Sequence, residues 1–103
     1  MNILKYTDFL LHKPSVFQIK KTDHIQQFAV ALGCGTVLEK HSTPVPATLI
    51  VLKGAIKFNL PDLQLELQEQ DVYEIPVDVE HSVQGMMEKN LFLITKELNP
   101  DSE

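Results

Sequence analysis

Apolar residues recur at every second position along most of this chain. Phe28, Val30 and Leu32 alternate with Gln27, Ala29 and Ala31. Ile56, Phe58 and Leu60 alternate with Ala55, Lys57 and Asn59, and Leu63, Leu65 and Leu67 with Gln64, Glu66 and Gln68. A period of two predicts strands with one buried and one wetter face. Pro61-Asp62, between the last two runs, predicts a hairpin turn. Shorter strands are predicted at Val16–Lys20, Val37–His41, Val72–Ile75, His81–Gln84 and Leu91–Lys96. Gly33, Gly35, Gly54 and Pro76 punctuate them. One helical turn is expected over Thr7–Leu11. Many short strands with little helix predict an all-β sandwich or barrel.

Two runs break the alternation. Thr48–Leu52 and Leu91–Ile94 are apolar on both faces. Such a strand must cover something on both sides. One side is the core. The other is expected to meet a partner subunit, which favours a homodimer, or else a second sheet of the same domain.

Composition narrows the classes. At 103 residues the chain is one domain, with a net charge of −5 and no basic cluster. That argues against nucleic acid and against a polybasic membrane contact. Cys34 is the single cysteine, so no internal disulfide can form, which fits a reducing compartment. The N-terminal residues lack an apolar run long enough for a signal peptide or a span, with Lys5 and Asp8 interrupting it. A cytoplasmic protein is the expectation. Residues 1–15 read as an N-terminal arm, about 28–95 as the barrel and 99–103 as a frayed tail.

Candidate chemistry centres on a spaced set of glycines and histidines. Gly35 precedes His41 by five intervening residues, Gly54 follows an apolar strand, and Pro76-Val-Asp-Val-Glu-His81 comes later. In these positions the chain resembles the cupin superfamily. The family's first motif is a glycine, five residues, H-x-H, three or four residues, a glutamate, six residues and a glycine. Its second is a glycine, five residues, P-x-G-x-x-H, three residues and an asparagine. The resemblance covers about Phe28 to Thr95. It implies a small jelly-roll β-barrel, often dimeric, that commonly holds one divalent metal on three histidines and the glutamate.

The departures bear on function. Thr43 stands at the second histidine, and Ala47, or Thr48 with the spacing read one residue differently, at the glutamate. Gln70, Asp78 and Gly85 replace the second motif's two glycines and its asparagine. Asp78 is a mild change, because Asp tolerates the left-handed conformation. The stretch H-S-T-P-V-P-A-T, together with His81-Ser82-Val83, also resembles a subgroup of small single-domain cupins of mostly undefined activity.

His41 and His81 are therefore the metal-ligand candidates. They are expected to converge at the barrel mouth, with Thr43 and Thr48 as pocket partners. Two imidazoles hold a metal weakly unless a carboxylate joins them. Glu39 shares the face of His41 in a regular strand, but Leu38 then points away from the core, so either a bulge intervenes or one of the two faces water. Glu74 and Glu80 are expected to point outward. Cys34 reads as a turn residue, His12 and His24 as surface histidines, Tyr73 as packing, and Met86 and Met87 as padding. No nucleophile–base pair is present, so no catalytic residue is assigned. The favoured function is small-molecule binding in a two-histidine pocket, with no metal or a weakly bound Zn, Ni, Mn or Fe. A metal-dependent dioxygenase or isomerase, and a non-catalytic accessory protein, are the alternatives.

Overall fold

The computed structural model describes residues 1–98, so the expected frayed tail lies outside the described residues. Among the described residues nine strands run β1 (Ser15–Lys21), β2 (Ile25–Gly33), β3 (Val37–His41), β4 (Ala47–Lys53), β5 (Ala55–Asn59), β6 (Gln64–Gln68), β7 (Val72–Ile75), β8 (His81–Gly85) and β9 (Lys89–Glu97). They form a five-stranded sheet, β1-β2-β9-β4-β7, and a four-stranded sheet, β3-β8-β5-β6. Every pairing is antiparallel. The expected all-β jelly roll is what the chain forms. No helix among the described residues is long and apolar enough to cross a membrane.

The period of two places the core. Val30, Leu32, Leu49, Val51, Phe92 and Ile94 point inward from the larger sheet, and Ile56, Phe58 and Val83 from the smaller one. Removing a side chain of this size from water contributes roughly 1.5–3 kcal/mol. The β5–β6 hairpin turns at Pro61-Asp62 as predicted, with Leu60 N–H donating to the Leu63 carbonyl at 2.7 Å. The strands stop one residue earlier than the alternation does. Leu63 thus lies in the turn and is exposed.

The outer face of β2 and β9 has a cover that neither expectation named. Ile3 and Phe9 of the N-terminal arm pack on Ala29, Ala31 and Leu91. The arm is pinned where the Leu10 carbonyl accepts from Gly33 N–H at 3.2 Å and Thr36 Oγ1 at 2.8 Å. Its one helical turn is a 3-10 turn at Ile3–Tyr6, not Thr7–Leu11, because the Asn2 side chain caps Lys5 N–H. An apolar row, covered at Ala29 by the arm, crosses the same outer face. Phe17, Ala29, Leu93, Ile50 and Val72 are successive cross-strand partners on β1, β2, β9, β4 and β7.

One end of the barrel is sealed by Asn90, which is fully buried. Its Oδ1 accepts from Ala55 N–H and Met87 N–H, each at 3.0 Å, and its Nδ2 donates to the Leu32 and Met87 carbonyls. All four hydrogen-bonding positions of the amide are used. A Cβ on Gly85 would lie 2.6 Å from this Nδ2. An asparagine side chain thus occupies the space beside residue 85 although it comes from position 90.

Four positions where the family has glycine keep a positive φ: Gly35 (78°), Gly54 (76°), Gln70 (72°) and Asp78 (60°). The left-handed conformation survives at Gln70 and Asp78 without the residue that adopts it most cheaply.

Candidate functional site

The opposite end of the barrel is open. Here a β-bulge aims His41 inward. Between the pairs Leu38–Val83 and His41–His81, β3 advances three residues while β8 advances two. The extra residue puts Leu38 and His41 on the same inner face, which answers the conflict between Leu38 and Glu39. Glu39 stays exposed, and its backbone carbonyl is 2.8 Å from His41 Nδ1. On β8, His81 Nδ1 lies 3.0 Å from the Val79 carbonyl. A carbonyl only accepts, so both imidazoles carry their proton on Nδ1. In the neutral form each then presents an Nε2 lone pair.

The two rings meet edge to face, with centroids 4.4 Å apart and an interplanar angle of 66°. His81 also stacks on Phe58 at 5.0 Å. His81 is buried while His41 is exposed, so one forms the floor and the other the mouth of a small cavity. Burial is the main reason the His81 pKa falls below its ordinary 6.5. The bond to Val79 opposes that shift, and the charges of His41 and Lys96 reinforce it.

Thr43, Ala47, Leu49, Phe28, Ile94 and Lys96 line the same cavity with the histidines. About 40 Å³ of it is open to water-sized molecules, room for about one or two waters. His81 also borders a larger outer groove of about 350 Å³, lined by Lys40, Asn59, Glu80 and Ser82.

His41, Thr43 and His81 are therefore brought together as expected, whereas Thr48 is not. Thr48 lies on the outer face of β4, where its hydroxyl donates to Glu74. Residue sides alternate along a strand, so the inward Ala47 puts Thr48 outside. Of the two candidates for the position where the resemblance implies a glutamate, Ala47 is thus the one that points inward. Lys96 was missed by sequence reasoning. It is the last residue of the predicted strand Leu91–Lys96. Period two from Phe92 through Ile94 is the signal that turns it inward. Cys34 is an exposed turn residue, His12 and His24 are exposed, and Tyr73 packs edge to face on Phe58 at 5.0 Å.

The side chains present do not fit a tightly held divalent metal. Among the described residues no group of three His, Cys, Asp or Glu converges. The cavity has no acidic lining among them and one lysine instead. Two imidazoles fall short of the three or four protein ligands of ordinary zinc sites.

No protein-family model matches the chain, and no curated protein matches it in sequence. Solved structures match it in fold. A cupin superfamily protein from Desulfitobacterium hafniense superposes with a TM-score of 0.84 at 13% identity, covering 96% of this chain and 90% of that one. This chain has the cupin fold. An RmlC-like cupin with a double-stranded β-helix fold from Methanocaldococcus jannaschii gives 0.78 at 23% identity, over 85% of this chain and 83% of that one. A conserved protein of unknown function from Streptococcus pyogenes gives 0.83 at 12% identity, over 96% and 86%. The fold does not choose an activity, because one fold hosts many functions.

Proposed function

We propose that the open end of this cupin barrel binds a small molecule without a tightly held metal. The observation that carries the reading is the convergence of two Nε2 positions, Thr43 and Lys96 on one concave, otherwise apolar cavity. The inner space takes a group of only a few atoms, so the body of the ligand lies toward the mouth, beside exposed His41. We propose further that the protein is a homodimer joined through Phe17, Leu93, Ile50 and Val72, the members of that row not fully buried in the protomer. Its place is the cytoplasm, where exposed Cys34 stays reduced.

A metal-dependent enzyme is the second reading. It is favoured by the Nδ1–carbonyl bonds of both histidines, the partner pattern that usually orients metal-ligating imidazoles. Metal analysis of protein purified without a histidine tag separates the two. Substoichiometric metal, with ligand-induced thermal stabilisation lost in His41→Ala and His81→Ala, is the expected result. Stoichiometric metal that disappears in both variants overturns the proposal in favour of the enzyme.

A further inference from the structure

The inward-facing candidate for the glutamate that the resemblance implies and the lysine of the cavity are cross-strand neighbours. Ala47 on β4 pairs directly with Lys96 on β9. Opposed residues in an antiparallel pair have Cβ atoms only about 5 Å apart and point to the same face. Ala47 is buried and brings no carboxylate to the site. Lys96, half-buried beside it, brings an ammonium to the same wall, its Nζ 5.5 Å from the Phe28 ring centroid. With Lys96 on this wall and no carboxylate lining the cavity among the described residues, the local charge repels a cation.

Resting on the small-molecule reading above, we infer that the cavity binds the carboxylate of an organic acid, with Lys96 as its counter-charge. Three observations support a carboxylate. No acidic side chain lines the cavity among the described residues, so a bound anion meets no like charge there. The inner space of about 40 Å³ admits a group of only a few atoms, the size class of a carboxylate. The wall around Lys96 is apolar, with Phe28, Leu49 and Ile94, so the charge pair is screened less than one at the surface. Thr43 adds a hydroxyl that can donate to the second oxygen. The imidazoles at the mouth stand where the α-substituent of such an acid emerges, and a hydroxyl there can donate to an Nε2.

The test is a titration followed through the His41 and His81 ring resonances by NMR, at constant ionic strength. Acetate and lactate are the charged probes; acetamide and propane-1,2-diol are their uncharged counterparts. The expected result is saturable shifts with the two acids only, lactate the tighter. Lys96→Met keeps an unbranched stem over Phe28 and weakens acid binding at least about tenfold, as loss of a hydrogen bond to a charged group does. Lys96→Arg retains it. The paired variant Ala47→Glu/Lys96→Met supplies a carboxylate and gains Zn²⁺ affinity over the wild type. Equal binding of charged and uncharged probes overturns the carboxylate inference and leaves the small-molecule reading standing. So does acid binding unchanged in a folded Lys96→Met. No shift with any probe up to tens of millimolar overturns both.

Discussion

His41 and His81 stand directly opposite each other on β3 and β8, ring centroids 4.4 Å apart, each bonded through Nδ1 to the carbonyl two residues earlier. The pair is alike in backbone setting and unlike in burial. That difference has a measurable consequence. Buried His81 has a pKa below 6.5 when folded and near 6.5 when unfolded. Between the two values the unfolded chain binds more protons, so stability rises with pH. The contribution is fully present above 6.5, declines as the pH falls below it, and stops declining below the folded value. Urea unfolding of wild type and His81→Gln from about pH 7.5 to 5.5 should show a shallower slope in the variant. Identical slopes would show that His81 does not titrate in this way.

Asn90 should be the least replaceable polar side chain of the barrel. Asn90→Ala strips partners from the part-buried Ala55 N–H and Met87 N–H and from the Leu32 carbonyl, whose bond to Asn90 is buried. The expected loss is roughly 3 kcal/mol or more, since each orphaned buried group costs about 1–3 kcal/mol. Asn90→Asp removes both donors and buries a charge, so it should be no better. Chemical denaturation measures both variants, and a loss below about 1 kcal/mol in Asn90→Ala would contradict the network.

The positive-φ positions make a graded series. Gly35→Ala meets open space and carries only the left-handed penalty of about 1–2 kcal/mol. Gly54→Ala carries the same penalty and drives its Cβ to 2.3 Å from the Lys89 carbonyl, so it should be clearly worse or fail to fold. Gln70→Gly runs the other way. It relieves the left-handed strain against the greater entropy of glycine, for a gain of up to about 1 kcal/mol. Unfolding midpoints in the order Gln70→Gly, wild type, Gly35→Ala, Gly54→Ala are expected.

The proposed dimer rests on the apolar row of the outer sheet. Ile50, on β4 between Leu93 and Val72 and half-buried in the protomer, is the position to charge. Ile50→Lys should convert a dimeric mass to a monomeric one in light scattering, with the circular dichroism of the β-barrel retained. A monomeric wild type would remove the dimer from the proposal.

Much of the fold was legible before any coordinates. The alternation of Phe28–Leu32 and Ile56–Phe58 assigned strands and inner faces, because side-chain direction in a strand is a local property with period two. The spacing of Gly35, His41, Gly54, Pro76 and His81 placed the two histidines together. Thr48 failed because one residue of register decides inside from outside, and the motif left that residue open. The cover of the outer face failed because Ile3 and Phe9 reach Ala29 and Leu91 across tens of residues of chain.

By itself, then, the sequence determined an all-β barrel, the strand faces, and the pairing of His41 with His81, while leaving Ala47 and Thr48 as alternatives for one motif position. Only the tertiary structure decided that a bulge aims His41 inward, that Asn90 fills the space beside Gly85, and that Lys96 stands against Ala47 in the cavity wall. The physical reason is the range of the forces. Periodicity is written in neighbours along the chain, whereas a site's charge is the sum over residues that register alone brings together.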